Sequence, residues 1–544
     1  MNLTSHSRCV ALALVLIITR VGLAQLKPPL ASTTADQALS AASDLAQKGR
    51  FAEAAPIARK AVALAPSSSV ARNLLGVIEE QLKHDASAQL EYERAIQHDP
   101  KFAAARANLG NLLLTQGKLE PARAQLQQAI TLDPNNARAH YNLALVLVKA
   151  NEYAPAADQF EAVLKLRGED PALAIMFIGA ALKAEQTERA LSTADAVFTA
   201  HSQDAKVLFN LALLLAQNGQ YAKASELFRH VNELKPGTAE VLYNLGVAEH
   251  NLKHLDAAAS ALAEAADLKP ELAEAHFRLG LIASERLDHE NAILEFQHAI
   301  AQAPHRAQYH YLLGREQFSL GRWELSAASY GKATELDPKQ PLYELSLGNA
   351  LFRAENYAAA AIAFETTAKL DPKTEDIQYL IGYCYRVQGS LDKATAHLLQ
   401  QIQTDPKHVK ALDSLGFILL EQGDAAGAQS QLEKAAAIDP YDVDSLFDLA
   451  RTYARSKQAD KAIEAFEHVL RLSPENTQAH YQLFLLYTRT QHSEEANREL
   501  AEFQRLQEME KMVRREEAAL SKLRRAQVNS GQPPTTNPTG GEPR

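Results

Sequence analysis

The sequence predicts an all-α protein, an α-solenoid of about fourteen 34-residue helix-turn-helix repeats. Three observations support this: a regular spacing of prolines, small residues at fixed positions between them, and an alanine- and leucine-rich composition with only 6% aromatic residues. Because a repeat array grows by adding units, the 544 residues need not divide into several globular domains.

The first 24 residues have the composition of a secretion signal. Arg8 precedes an apolar run at 9–18, and small residues surround a predicted cleavage point after Ala24. We therefore expect a signal peptide at 1–24 and a linker at 25–34, with an exported protein that is periplasmic or extracellular at the cell envelope. The run is shorter than the ~20 residues needed to cross a bilayer, so membrane association would be indirect, or through an uncleaved signal.

The region 35–510 is predicted to be one tandem array. With proline as position 32, position 8 is glycine in eight repeats and position 20 is alanine in thirteen, the exception being Ser326. Small residues at these two positions let two antiparallel helices approach closely, so each repeat is a helical hairpin. The repeats begin at 35, 69, 103, 137, 171, 205, 239, 273, 307, 341, 375, 409, 443 and 477.

The ends of the helices have their own signals. Glycine at position 15, as at Gly117, is expected in the left-handed conformation where the first helix stops. Asp-Pro pairs such as Asp337-Pro338 end the second helix, because proline cannot donate the next helical hydrogen bond. The fifth repeat has Ile178 instead of a small residue at position 8, and we expect the array to bend or flex there.

A capping helix is expected after the array, at 511–528. It would cover the apolar end of the solenoid, and a coiled-coil dimer is the alternative. The apolar residues Leu506, Met509, Val513, Leu520 and Leu523 form one stripe along this segment. The tail at 529–544 is rich in Pro, Gly, Thr and Asn and is expected to be disordered.

Two segments, 139–144 (AHYNLA) and 241–246 (VLYNLG), resemble the core motif of the tetratricopeptide-repeat (TPR) family. The resemblance extends over residues 35 to about 510. Together with the secretion signal at 1–24, it suggests a secreted bacterial TPR-repeat protein. It implies a right-handed superhelix whose first helices line a concave groove that binds protein partners.

No catalytic or metal-binding motif stands out. The sequence outside the array is too short for a catalytic domain, and no P-loop, HExxH, G-x-S-x-G or C-x-x-C is present. His250 and His254 have i, i+4 spacing but no cysteine nearby, and we interpret them as surface and turn residues. The net charge of −10 lacks the basic footprint of nucleic-acid binders. We expect neither enzyme activity nor a cofactor.

The resemblance implies that positions 2, 5, 9, 12 and 13 of the first helix face the groove. In the later repeats these positions combine aromatic rings with arginines, which suit acidic peptide segments or acidic polysaccharide. Acids such as Asp376, Asp413, Asp444 and Glu421 share the surface, so a solvated face with internal ion pairs is the alternative. The candidate groove residues are Tyr311, Arg315, Arg353, Tyr379, Tyr383, Arg386, Arg451 and Arg455.

Asparagines at position 6 mark the earlier repeats. Asn108, Asn142, Asn210 and Asn244 partly resemble the asparagine ladder with which the repeats of O-linked N-acetylglucosamine transferases hold an extended peptide backbone. An amide can both donate to and accept from a peptide unit, so backbone binding is the implied role. The transferase domain is missing, and glycosyl transfer is not implied.

Taken together, the sequence predicts a non-catalytic exported scaffold or adaptor that binds protein partners, as extended peptide segments, in its concave groove. The alternative is a structural component of an envelope polysaccharide or pilus export or assembly machine. In that case the arginine-bearing half would bind an acidic polymer.

Overall fold

The computed structural model describes residues 34–530, without the side chains of 521 and 523–530. This part of the chain contains 28 α-helices and no strand, so the all-α prediction is confirmed. The predicted signal at 1–24, the linker up to residue 33 and the tail from 531 lie outside the described residues. Among the described helices, none combines the length and the hydropathy that crossing a membrane requires.

The chain divides into two compact units, one ending at Glu271 and the other beginning at Leu272. Each unit contains seven helical hairpins in its described part. In the first unit the helices are α1 (Thr34–Gln47), α2 (Phe51–Leu64), α3 (Ser69–Gln81), α4 (Asp85–His98), α5 (Ala103–Thr115), α6 (Leu119–Leu132), α7 (Ala137–Lys149), α8 (Tyr153–Arg167), α9 (Pro171–Lys183), α10 (Thr187–Ala200), α11 (Ala205–Gln217), α12 (Tyr221–Leu234), α13 (Ala239–Asn251) and α14 (Leu255–Leu268).

The second unit repeats the same plan. Its helices are α15 (Ala273–Glu285), α16 (His289–Gln302), α17 (Ala307–Ser319), α18 (Trp323–Leu336), α19 (Pro341–Arg353), α20 (Tyr357–Leu370), α21 (Ile377–Val387), α22 (Leu391–Thr404), α23 (Val409–Glu421), α24 (Ala425–Ile438), α25 (Val443–Arg455), α26 (Ala459–Leu472), α27 (Thr477–Arg489) and α28 (Ser493–Ser530). Odd-numbered helices are the first helices of the repeats, and even-numbered helices are the second.

Close approach within eight of the hairpins depends on glycine at position 8. At Gly348, a Cβ atom would lie 2.5 Å from ring carbons of Phe364, which is fully buried at position 24 of the same repeat. In the one repeat whose position 20 is not alanine, Ser326 is buried there, and its hydroxyl donates to the carbonyl of Gly314 at 2.7 Å. The small residues therefore allow the two helices of a hairpin to contact each other directly, as the sequence predicts.

First helices lie closer together than second helices. Within a unit, α5 packs on α7, and α21 and α25 both pack on α23. Second helices of neighbouring repeats meet through long side chains, as where Arg189 of α10 pairs with Asp158 and Glu161 of α8 at 3.0 and 2.8 Å. The first helices thus form the inner surface of each stack.

A left-handed residue occurs at position 15 in every described repeat. Six of these residues are glycines, as predicted, including Gly117 at φ +76°. The other eight are not glycine, although each has φ near +60°: Lys83, Asn151, Glu185, Lys253, Leu287, Glu355, Lys457 and Gln491. The turn is therefore imposed by packing of the hairpin and does not depend on glycine.

The fifth repeat departs from the regular packing. Ile178 is fully buried, and α10 contacts α11 much less than second helices elsewhere in the unit contact the next first helix. A cleft of about 460 Å³, lined by residues 200–206 and Lys235, opens at this point. Bending or flexing of the array at this repeat stays a prediction.

The last helix, α28, runs through residue 511 without a break. The segment at 511–528, where a capping helix is expected, continues the last second helix. Leu506 is buried, whereas Met509, Val513 and Leu520 are exposed. Of the four side chains of the predicted apolar stripe that the structure describes, only Leu506 packs on the repeats.

Candidate functional site

The inner surface of the second unit brings together five of the predicted groove residues. Tyr379, Tyr383 and Arg386 lie on α21, and Arg451 and Arg455 lie on α25, on either side of α23. Helix α23 contributes two further side chains between them. We refer to the following residues as the inner cluster: Tyr379, Tyr383, Arg386, Asp413, Phe417, Asp448, Arg451 and Arg455.

Arg386 is held between two aromatic rings. Its guanidinium carbon lies 4.8 Å from the ring centroid of Tyr383 and 4.9 Å from that of Phe417. The Tyr383 ring is in turn 6.1 Å from the ring of Tyr379, in an edge-to-face arrangement. Cation–π contacts of this kind fix the orientation of the guanidinium group, so Arg386 forms a rigid part of the surface.

The other two arginines of the inner cluster already have acceptors. Arg451 donates to Asp448 at 2.8 Å and to Glu421 at 3.1 Å. Arg455 donates to the carbonyl of Leu420 and lies 4.0 Å from Glu421. An acidic ligand would have to compete with these bonds, so Arg451 and Arg455 fit the interpretation as internal ion pairs.

Two side chains of the inner cluster, Asp413 and Arg386, each keep one enclosed polar atom without a hydrogen-bond partner in the described part of the chain, Oδ1 in Asp413 and Nε in Arg386. Asp413 is half-buried. Burial and, to a smaller extent, the carboxylates of Asp448, Asp442 and Asp444 raise the pKa of Asp413 to about 7, although Arg386 opposes them. The carboxylate is therefore costly to keep charged.

Asp448 shares this environment. Burial raises the pKa of Asp448, and the hydrogen bond from Arg451 only partly opposes that effect. Sequence reasoning missed Asp448 and treated Asp413 only as a charge that offsets the arginines. A signal was present, because Asp413 occupies position 5, where eight other repeats carry an aromatic ring.

The remaining groove candidates of the second unit make contacts of their own. Tyr311 stacks on Tyr343, with ring centroids 5.0 Å apart. Arg315 donates to the buried carboxylate of Glu316 at 2.8 Å and to the hydroxyl of Ser284 at 2.9 Å. Arg353 is exposed, and its guanidinium carbon lies 6.0 Å from the ring of Trp323. These residues stabilise neighbouring repeats and do not join the inner cluster.

The four asparagines of the first unit do not form a row of free amides. Asn108 is buried, and its Nδ2 donates to Oδ1 of Asn73 at 2.9 Å. Asn244 donates to the carbonyl of Glu240 within its own helix at 2.8 Å. Asn142 is buried with its Nδ2 unpartnered, and Asn210 is exposed. The expected ladder is interrupted because two of the amides already donate to other groups.

The interpretation of His250 as a surface residue is wrong. His250 is buried in α13, and His254 contacts the buried carboxylate of Glu249 through Nδ1 at 2.8 Å. Glu249 also accepts hydrogen bonds from Ser225 and Arg229, which together bring α12 and α13 into contact.

Family models match the greater part of the chain. A model described as "TPR repeat" matches residues 110–151. Models described as "Tetratricopeptide repeat" match residues 39–104, 176–237, 239–272, 277–341, 345–408 and 419–469. The chain belongs to the tetratricopeptide-repeat family. Arrays of this family are protein-interaction scaffolds, and the TPR repeats support that role for this chain.

Several solved structures are similar to this TPR chain over part or most of its length. The Naa15/Naa10 complex bound to HypK-THB is 15% identical, covers 92% of this chain and 98% of that chain, and has a TM-score of 0.36. YrrB, a TPR protein with an unusual peptide-binding site, is 30% identical over 34% of this chain and 95% of its own, with a TM-score of 0.28. Pseudomonas aeruginosa pilF is 24% identical over 43% of this chain and 92% of its own, also at 0.28. No curated protein gave a match.

Proposed function

We propose that this TPR protein is an exported, non-catalytic scaffold that binds an extended segment of a partner protein on the inner cluster. In this proposal the segment places a lysine or arginine side chain against Asp413. The observation that carries it is the Asp413 carboxylate, which is enclosed without a hydrogen-bond partner at Oδ1.

Charge favours a cationic side chain at this point. The carboxylates of Asp442, Asp444 and Asp448 all disfavour a negative charge on Asp413, and Arg386 is the cation that opposes them. Arg451 pairs with Asp448 and Glu421, so Asp413 has only the partial compensation that Arg386 supplies. A hydrogen bond to a charged group contributes about 1.5–3 kcal/mol, which a partner's ammonium or guanidinium group would supply.

The dimensions favour an extended segment. Three first helices, α21, α23 and α25, contribute to the inner cluster, and packed helices lie about 8–10 Å apart. The surface across them is therefore about 20 Å long, which an extended chain covers with about six residues at roughly 3.3 Å each. The rings of Tyr379, Tyr383 and Phe417 can pack against the aliphatic stem of the basic side chain.

Export is supported by the sequence at 1–24, with its charged start, apolar run and small residues before position 25. Fusing these residues to a reporter enzyme that is active only outside the cytoplasm tests this part separately. Reporter activity that depends on the apolar run supports export, and activity that is unchanged when the run is replaced by polar residues contradicts it.

Binding is tested with synthetic peptides that share one neutral frame and carry Lys, Arg, Glu or Ala at a single central position. The Lys and Arg peptides should bind the full chain more tightly than the Glu and Ala peptides. Asp413→Asn should remove this preference, because it takes away the only partly compensated carboxylate.

Asp444→Asn is the matched control. It removes the same charge from the same surface, but Asp444 is exposed and need not be compensated by a ligand. If the two variants weaken binding of the Lys peptide equally, binding depends only on the general negative charge of the surface, and Asp413 does not contact the basic side chain. If the Glu peptide binds most tightly, the proposal is wrong. The arginines would then bind an acidic segment, as the sequence suggested.

A further inference from the structure

The repeat at 273–306 brings two histidines and a carboxylate together on one hairpin. His276 lies on α15, and Glu295 and His298 lie one turn apart on α16. Nδ1 of His276 is 2.8 Å from Oε2 of Glu295, and Nδ1 of His298 is 3.9 Å from the same oxygen. One ligand atom from each residue lies within 4.8 Å of the other two, the one such group found in the described part of the chain. We propose that these three side chains form a zinc site.

Comparison with equivalent positions shows which contact is ordinary for this fold. His140 and His480 also occupy position 4, and their Nδ1 atoms contact the position-23 residues Gln159 and Glu499 at 2.7 and 2.5 Å. In both, the second ring nitrogen contacts a proline carbonyl at 3.0 Å. A histidine at position 4 beside an acceptor at position 23 is therefore a packing contact that several hairpins share.

His298 is the feature that those two repeats lack. The corresponding position 26 is Ala162 in one of them and Glu502 in the other. Conversely, His468 occupies position 26 of another repeat, where positions 4 and 23 are Leu446 and Ala465. The three potential ligands thus coincide only in the repeat at 273–306, where the rings of His276 and His298 lie 5.1 Å apart.

The donor set and the spacing suit zinc. Zn²⁺ binds imidazole nitrogen and carboxylate oxygen at about 2.0–2.2 Å, which puts tetrahedral ligand atoms about 3.4 Å from one another. The present separations of 2.8 to at most 4.8 Å bracket that value, so a small rotation of one side chain completes the geometry. The side chain of His298 has room for this rotation, because it is 51% exposed.

The hairpin itself holds α15 and α16 at the separation that the three zinc ligands need. His276 and Glu295 are mostly buried, with 17% and 23% of their side chains exposed, so their positions are fixed by packing. Two histidines and one glutamate fill three positions of a tetrahedral zinc ion and leave the fourth for water or for a side chain of a bound partner. Bound zinc would link α15 to α16 and stabilise this hairpin by an amount that grows with the logarithm of the free zinc concentration above the Kd.

Calorimetric titration of Zn²⁺ into the full chain, prepared without a histidine tag and stripped with chelator, tests the site. One zinc ion per chain should bind, and His298→Ala should weaken binding by about tenfold or more. Co²⁺ should give the visible absorption of a tetrahedral ion in the wild-type chain and lose it in the variant. Circular dichroism should show unchanged helix content, because His298 is largely exposed.

His468→Ala is the matched control, since it removes a histidine from the same repeat position where no second ligand exists. It should bind zinc as the wild type does. Equal zinc affinity in His298→Ala and wild type, or no binding at all by the wild-type chain, would overturn the proposal. Equal weakening by His298→Ala and His468→Ala would also overturn it, because only scattered surface histidines would then be responsible.

A second site can be built in a repeat that lacks one. Gln159→Glu together with Ala162→His gives the hairpin of His140 the same three residue types at positions 4, 23 and 26. This double variant should bind a second zinc ion. Failure to do so while the natural site binds would contradict the claim that these three positions suffice for a zinc site.

Discussion

Replacing Asp413 by asparagine should stabilise the second unit at pH 8 and leave it almost unchanged near pH 4. The side chain keeps its size, so the packing beside Phe417 is retained. What changes is the charge, which burial and the neighbouring aspartates disfavour.

The magnitude follows from the pKa. The pKa of Asp413 rises from 3.8 in an unperturbed chain to about 7 in the fold, and this difference of roughly three units corresponds to about 4 kcal/mol. Because the folded pKa is above the unfolded one, the folded chain binds an extra proton between about pH 4 and pH 7. Stability of the wild type therefore falls as pH rises through this window, and the full penalty is present above about pH 7.

Urea denaturation followed by circular dichroism at pH 4, 6 and 8 measures the effect. The difference in midpoint between Asp413→Asn and wild type should grow from pH 4 to pH 8. Asp444→Asn is the control for general charge repulsion on the same surface, and its difference should stay small. A constant difference between Asp413→Asn and wild type across the three pH values would refute the reasoning.

Substitutions at three further positions test a helix contact, a left-handed turn and a buried carboxylate. Gly348→Ala should destabilise the chain by about 1–3 kcal/mol, because the added methyl group meets the ring of Phe364; an unchanged melting temperature would show that the helices can separate freely. Leu287→Gly should stabilise by about 1 kcal/mol, since Leu287 is 75% exposed and has φ of 59°, while Leu287→Ala, which keeps the backbone strain, should not. Glu316→Gln should cost about 2 kcal/mol at pH 7. Burial raises the pKa of Glu316, but hydrogen bonds from His289, Arg315 and Ser284 outweigh it and lower the pKa overall. This contribution is complete above pH 4.5 and is lost as pH falls through the lowered value, so the deficit should disappear in acid denaturation curves compared across pH.

Sequence periodicity was sufficient for the hairpins because most repeats use the same contacts. Glycine at position 8 meets the side chain at position 24, and this relation needs no knowledge of distant residues. The sequence predicted the left-handed turn at position 15 only in the repeats that have glycine there. At Leu287 and seven other positions the same turn occurs because the two helices it connects leave the residue no other conformation.

The surface chemistry was less accessible from the sequence. Position numbers placed Arg451 correctly on a first helix, but its partners Asp448 and Glu421 depend on how neighbouring first helices pack. The same holds for Asn108, which donates to Asn73 one repeat away. Burial of Asp413 without a partner is a property of three packed helices together, and no single repeat reveals it.

The most direct test of the binding surface is photocrosslinking from two positions of the second unit in the cell. A photoreactive residue at Lys410, exposed on first helix α23 beside the inner cluster, is compared with one at Leu399, exposed on second helix α22. The proposal predicts that Lys410 crosslinks a defined partner protein at a basic segment and that Asp413→Asn abolishes the crosslink, while Leu399 gives none. A partner captured from Leu399 and not from Lys410, or a crosslink from Lys410 that Asp413→Asn leaves intact, would contradict it.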